Sequence, residues 1–274
     1  MARANMICRQ RASGRPPVFL PTLALAFLFG CVRPPDPADP AEVPIVRPRI
    51  LESVPHDPAA FTQGLLIDGD VWLESTGLYG QSELREVERR TGRVLRRVRL
   101  APDLFGEGLA LWQGRLYQLT WREGVCLVYD RAAFKPAARF AYEGEGWGLA
   151  SCERWLYMSN GSATVRVLDP TTFKEQRRFE VHGPDGPVGG LNEMARVGDE
   201  LWANVFPTRL IARFRPEDGR VLGFLDLTLF PPPEDAHPDQ DVLNGIAYDP
   251  ANGGVWVTGK KWTRLYRIEW PPAR

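Results

Sequence analysis

With 274 residues, 34 basic against 34 acidic side chains and a net charge of zero, the chain is long enough to bury a sizeable core. It carries no electrostatic footprint for nucleic acid. Nine Trp, 26 Gly and 25 Pro fit short strands with many turns and argue against long helices.

The first thirty residues differ in kind from the rest. Arg3, Arg9, Arg11 and Arg15 precede an apolar run from Val18 to Phe29 that is too short to span a bilayer as a mature helix but suits a secretory signal. It ends in Leu28-Phe29-Gly30-Cys31, which resembles a bacterial lipobox. Residues 1–30 are therefore expected to be a lipoprotein-type signal peptide, with Cys31 lipidated and the protein lipid-anchored on the periplasmic side of the cell envelope. Plain cleavage without lipid and an uncleaved anchor are the alternatives. Residues 31–49, rich in Pro, Asp and Ala, read as a tether outside the fold. Cys8 leaves with the signal, and the sequence leaves open whether Cys126 and Cys152 pair in an oxidising compartment.

The stretch from Phe61 to Gly80 reads as two strands joined by the tight turn Asp68-Gly69-Asp70. Leu65, Ile67, Val71 and Leu73 supply its buried faces, with the polar Gln63 and Glu74 set inside that frame. A carboxylate in such a place is expected to have a perturbed proton affinity.

From residue 61 onward one pattern recurs. A first strand appears at Gln63-Gly64-Leu65, Glu107-Gly108-Leu109, Trp147-Gly148-Leu149, Asn192-Glu193-Met194 and Asn244-Gly245-Ile246. A second strand follows each, marked by Trp72, Tyr117, Tyr157, Trp202 and Trp256, which stand 40 to 54 residues apart. Third and fourth strands complete most units. Four short strands at a period in the forties mark a β-propeller blade, and five units can be counted. The last unit lacks a fourth strand, while Val43 to Ser53 has strand character ahead of the first. The expectation is an all-β, five-bladed propeller over residues 50–274, closed by an N-terminal strand, with the second-strand aromatics packed between blades.

Polar residues repeated at the ends of first and second strands then converge on one mouth of the central channel. Gln63, Glu74, Glu107, Thr120, Trp121, Glu145, Trp147, Asn160, Asn192, Glu193, Asn204, Asn244 and Lys260 are of this kind. Aromatic walls with a few carboxylates, amides and one amine describe a small-molecule pocket.

Nine fragments in register resemble one family. They are Phe61-Thr62-Gln63-Gly64-Leu65, Glu74-Ser75-Thr76-Gly77-Leu78-Tyr79-Gly80, Phe105-Gly106-Glu107-Gly108-Leu109, Leu119-Thr120-Trp121 and Gly146-Trp147-Gly148-Leu149. Leu191-Asn192-Glu193, Trp202-Ala203-Asn204-Val205, Asp241-Val242-Leu243-Asn244-Gly245-Ile246-Ala247 and Val257-Thr258-Gly259-Lys260 complete the set. Together they are similar to the glutamine cyclotransferases of the plant and bacterial type. The resemblance implies a five-bladed propeller that converts the N-terminal glutamine of peptides to pyroglutamate and releases ammonia. It also implies Glu74 as proton shuttle, with Gln63, Trp121, Trp147, Asn192 and Lys260 as walls and polar contacts of the pocket; on chemical grounds Lys260 and Asn192 are expected to donate to the amide oxygen as it gains charge. Phe61, Gln63, Glu107, Trp121, Trp147, Asn204 and Asn244 are the expected substrate contacts. Phe206 departs from the pattern: the family commonly has Trp there, so the ring is kept and its N–H donor is not.

The expected partner is a peptide with N-terminal glutamine, handled by a monomer, with no nucleic acid and with the membrane reached through the lipid alone. Neither a catalytic cofactor nor a catalytic metal is expected, because His56, His182 and His237 are scattered without ligand spacing. The acidic run Glu234-Asp235 with Asp239-Gln240-Asp241 is either a structural calcium site or a solvated loop. One rival is a non-catalytic lipoprotein that binds peptides in the same funnel. A second is a propeller hydrolase with a metal cage drawn from Glu107, Glu145, Asn192 and Asn244.

Overall fold

The computed structural model describes residues 43–230 and 242–270. Cys31, the signal segment and the acidic run from Glu234 to Asp241 lie outside these residues. In chain order, β1 (Ile45–Val46) and β2 (Ile50–Pro55) come first. The first blade is β3 (Thr62–Asp68), β4 (Val71–Thr76), β5 (Glu83–Glu88) and β6 (Val94–Arg99). The second is β7 (Gly106–Trp112), β8 (Arg115–Thr120), β9 (Val125–Asp130) and β10 (Lys135–Ala141). The third is β11 (Leu149–Ser151), β12 (Leu156–Met158), β13 (Thr164–Leu168) and β14 (Glu175–Glu180). A short hairpin, β15 (His182–Gly183) with β16 (Gly186–Pro187), precedes the fourth blade. That blade is β17 (Leu191–Val197), β18 (Glu200–Val205), β19 (Leu210–Phe214) and β20 (Val221–Asp226). The fifth is β21 (Leu243–Asp249), β22 (Gly254–Gly259) and β23 (Arg264–Ile268). Each blade is an antiparallel meander, and the five together form the expected propeller.

The ring closes through both N-terminal strands. β2 pairs antiparallel with β23, Val54 opposite Leu265, and supplies the missing outer strand of the fifth blade. β1 pairs in parallel with β20, Ile45 opposite Phe224 and Val46 opposite Leu225, adding a fifth strand to the fourth blade. The end of the stretch expected to be a tether is thus part of the sheet. Three residues between Pro44 and Pro48 give no period to read, so the sequence shows strand character here but not the partner. Each blade ends in an open outer strand, β6, β10, β14, β1 and β2 in turn; in β6 (Val-Leu-Arg-Arg-Val-Arg), β10 and β14 (Glu-Gln-Arg-Arg-Phe-Glu) charged side chains discourage pairing with another chain.

Burial is arranged as five seams, one between each pair of neighbouring blades. Trp72 and Trp256 meet edge to face, centroids 5.2 Å apart, between the first and fifth blades. Tyr117 packs between the second and third, Tyr157 between the third and fourth, and Trp202 between the fourth and fifth. The second-strand aromatics therefore do what their spacing suggests. They are large apolar groups that two twisted sheets can share.

The innermost strands approach one another closely around the channel, and glycine permits it. A Cβ on Gly108 would stand 2.5 Å from the amide nitrogen of Leu149, and one on Gly148 would overlap the carbonyl oxygen of Asn192. The fourth blade has Glu193 at this place. Its buried carboxylate accepts the N–H groups of Leu65 (3.3 Å) and Ile246 (2.9 Å), tying the inner strands of the first, fourth and fifth blades. Gly148→Ala is expected to force Asn192 outward, costing about 1–3 kcal/mol as overpacking does. The midpoint in a calorimetric melt should fall, and an unchanged melt would show that the strands do not need this approach.

Candidate active site

The residue just before each glycine position opens its blade's inner strand at the same mouth: Gln63, Glu107, Trp147, Asn192 and Asn244. The residue just past the end of the second strand stands beside it: Trp121, Phe206 and Lys260 in the second, fourth and fifth blades. These side chains form a closed collar. Lys260 Nζ lies 4.8 Å from the ring centre of Phe61 and 5.4 Å from that of Phe206. Phe61 meets Phe105 edge-on at 6.1 Å, and Phe105 meets Trp121 at 5.5 Å. Trp121 and Trp147 both donate their indole N–H to Glu145 Oε2 at 2.9 Å. Trp147 meets Phe206 edge-on at 5.8 Å, completing the circuit.

A polar chain joins this collar. Asn244 Nδ2 donates to Gln63 Oε1 (2.8 Å) and to the Thr62 carbonyl (3.0 Å), and Gln63 Nε2 donates to Glu107 Oε1 (2.8 Å). Asn204 Oδ1 accepts the N–H of Gly245 at 3.0 Å. Among the described residues three buried amide atoms have no partner: Asn192 Oδ1, Asn204 Nδ2 and Asn244 Oδ1. Such groups cost free energy unless something bonds them, which suits a pocket made for a molecule rich in N–H and C=O groups.

Two buried titratable groups dominate the electrostatics. Burial pushes the Glu107 carboxyl well above its ordinary range; Lys260 opposes this, while Glu145 and Glu123 add to it. Burial lowers the Lys260 ammonium, and the charge of Glu107 only partly restores it. The proton affinities of a carboxylate and an amine are thereby drawn toward each other, the condition in which one site both takes and gives a proton.

Glu74, expected among these groups, lies elsewhere. It pairs with Leu65 in mid-strand, three residues before the rim position that Trp121 and Lys260 occupy in their blades. Three residues of strand are roughly 10 Å, and an odd step reverses the face. Thr62 and Gln63 show the split directly: Thr62 Oγ1 donates to Glu74 (2.8 Å), whereas Gln63 turns to Glu107. His56 Nε2 lies 2.9 Å from Glu74 Oε1, and Arg85 stands 3.9 Å from Oε2. Burial would raise this carboxyl, but the charge and hydrogen bond of His56, then Arg85 and Thr62, outweigh it and hold it low. Phe61, Gln63, Glu107, Trp121, Trp147, Asn192, Asn204, Asn244 and Lys260 are gathered at the mouth. Glu74 is not.

Sequence reading passed over Phe105 as a site residue and placed Glu145 at the mouth without a role in the cyclisation, although both stand within two residues of chosen ones. It also gave His56 no role, since nothing in the sequence around it forms a motif. Cys126 and Cys152 are both free thiols in different blades. Among the described residues no group of three or more His, Cys, Asp or Glu could hold a metal, and the carboxylate of Glu145 is occupied by two indoles and Arg122.

The family model described as glutamine cyclotransferase matches residues 22–270. A glutaminyl-peptide cyclotransferase of Arabidopsis thaliana is 40% identical over 224 residues, spanning 80% of this chain and 70% of the relative. The crystal structure of Myxococcus xanthus glutaminyl cyclase superposes with a TM-score of 0.79 at 30% identity, over 83% of this chain and 98% of that one. The chain belongs to the glutamine cyclotransferase family.

Proposed function

We propose that this protein is a glutaminyl-peptide cyclotransferase, closing the N-terminal glutamine of a peptide into pyroglutamate and releasing ammonia. The reaction is an acyl transfer of aminoacyl type. The α-nitrogen bonds to the side-chain amide carbon, the C–N bond to the amide nitrogen breaks, and the proton lost by the first nitrogen is gained by the second.

The observation that carries this reading is Glu107, a buried carboxylate of raised proton affinity, hydrogen-bonded to Gln63 and under the influence of Lys260 inside an aromatic collar. A group of this kind takes a proton from an amine of pKa about 7.7–8.0 and returns it to the departing nitrogen. We therefore assign the proton shuttle to Glu107, in place of Glu74. Lys260 and Asn192 donate to the amide oxygen as it gains charge. The unpartnered oxygen of Asn244 accepts from substrate N–H groups, and the unpartnered Nδ2 of Asn204 donates to a substrate carbonyl. The collar holds the glutamine side chain folded over its own amine, which is where proximity contributes. Export and lipidation at Cys31 belong to the same proposal, supported by the order of basic, apolar and Leu-Phe-Gly-Cys segments at the N-terminus.

The test is ammonia release from a glutaminyl dipeptide by the whole protein. Stoichiometric ammonia and pyroglutamate are expected. Tight binding of the dipeptide without release would instead make the funnel a peptide receptor.

A further inference from the structure

We propose that Glu145 is a positioning residue of the pocket, a clamp that sets two of its aromatic walls with a single oxygen; this rests on the cyclotransferase reading of the site. Every other link in the collar is a ring contact or a cation over a ring. Between the second and third blades the rings do not touch in this way, and the carboxylate bridges them. Glu145 Oε2 accepts the N–H of Trp121 and of Trp147, each at 2.9 Å. Its other oxygen accepts from Arg122 Nε at 3.1 Å, and the Arg122 guanidinium lies 3.8 Å from the ring centre of Trp121. One carboxylate therefore fixes one indole twice, by its own hydrogen bond and through the arginine stacked on it.

Two consequences follow for the substrate. With both indole N–H groups held by Glu145, the walls present ring carbons rather than donors to the glutamine. The polar recognition of the substrate then falls to the amides, Glu107 and Lys260. Second, the two rings are set jointly, because a carboxylate oxygen accepts two N–H groups only within a narrow range of directions. Charge strengthens both bonds, as it does for any donor facing a carboxylate. Glu145 touches none of the reacting atoms in this scheme and acts through the tryptophans.

The experiment compares Glu145→Ala and Glu145→Gln with the parent protein in steady-state kinetics on a glutaminyl dipeptide, together with near-ultraviolet circular dichroism and thermal melts of the free proteins. Alanine frees both indoles, so kcat/KM should fall about 10–100-fold, with KM raised and kcat lowered together, as expected when a positioned chain is misplaced by an ångström. Its dichroism in the tryptophan region should change while the melt stays close to that of the parent, because the residue is partly exposed. Glutamine keeps an oxygen for the indoles and should retain most of the activity and the parent dichroism. Parent-like kinetics in Glu145→Ala would overturn the clamp. An equal loss in both variants would also overturn it, since that pattern means a charge acting on the substrate amine. Should the parent itself release no ammonia, the cyclotransferase reading fails, and the dichroism comparison still decides whether Glu145 orders the two indoles.

Discussion

Glu107→Gln is expected to lower ammonia release by about 10²–10⁴-fold, the usual contribution of a general acid–base group, while leaving the protein as stable as before. The amide has the shape of the acid and keeps an oxygen to accept the Gln63 hydrogen bond. What it loses is the proton. Glu107 is buried and its carboxyl is raised, mainly by that burial, so folding opposes its ionisation. For a group raised on folding, the stability it contributes is complete below the unfolded value and declines as pH rises through the folded one. The Gln variant cannot ionise and so escapes that decline. It should melt at or above the parent temperature near pH 8, where a merely structural Glu would make it melt lower. The acid limb of the parent pH–rate profile, set by ionisation of Glu107, should vanish from whatever rate remains. Undiminished turnover in Glu107→Gln would remove the residue from the mechanism.

Much of the fold is legible in the sequence because its units repeat. Each blade presents the same pair of signs, a glycine or Glu193 in the inner strand and a Trp or Tyr in the next, and both have one physical cause. The inner strands must approach closely, and the seams must be filled by large rings. The pocket is legible for a related reason: a residue flanking the glycine in every blade has to open at the same mouth. What the pattern does not carry is register near strand ends. Glu74 and Glu107 are both carboxylates inside shared motifs, and only the pairing of Thr62 with Thr76 and of Gly106 with Thr120 separates mid-strand from rim. His56 is invisible for another reason. It lies in the segment between β2 and β3, and its partners, Glu74 and the Trp262 carbonyl, are 18 and 206 residues away. Glu145 falls between these cases, near Trp147 in sequence but tied to Trp121 only by the fold.

The largest effect on stability is expected at the buried pair His56–Glu74, outside the collar. His56 Nε2 faces Glu74 Oε1 at 2.9 Å and Nδ1 faces the Trp262 carbonyl at 2.6 Å. Both are acceptors, so only the doubly protonated ring satisfies both, and it does so out of contact with solvent. Burial alone would lower the imidazole, but the charge and hydrogen bond of Glu74, with the Trp262 carbonyl, outweigh it and leave it raised. The pair joins the first blade to the turn of the fifth that carries Lys260; from the segment before β3, the carbonyl of Phe61's neighbour Ala60 accepts the N–H of Lys261 in that turn. Removing one member leaves the other charged and buried, which costs about 3–5 kcal/mol. For a domain of this size each kcal/mol moves the melt by roughly 2–4 °C, so His56→Ala and Glu74→Gln should each melt about 6–20 °C below the parent. The pH dependence is two-sided. The share due to Glu74, whose folded value is lowered, is present above the unfolded value and lost as pH falls through the folded one. The share due to His56, whose folded value is raised, is present below the unfolded value and lost as pH rises through the folded one. With unfolded values near 4.3 and 6.5, the gap between parent and variant should be widest at about pH 4.3–6.5 and narrow on either side. Melts across pH decide this, and assays on the folded variant at low temperature complete it. A Glu74→Gln protein that melts with the parent and releases no ammonia would return the proton shuttle to Glu74; one that melts early and still turns over leaves the chemistry with Glu107 and the closure of the ring with His56 and Glu74.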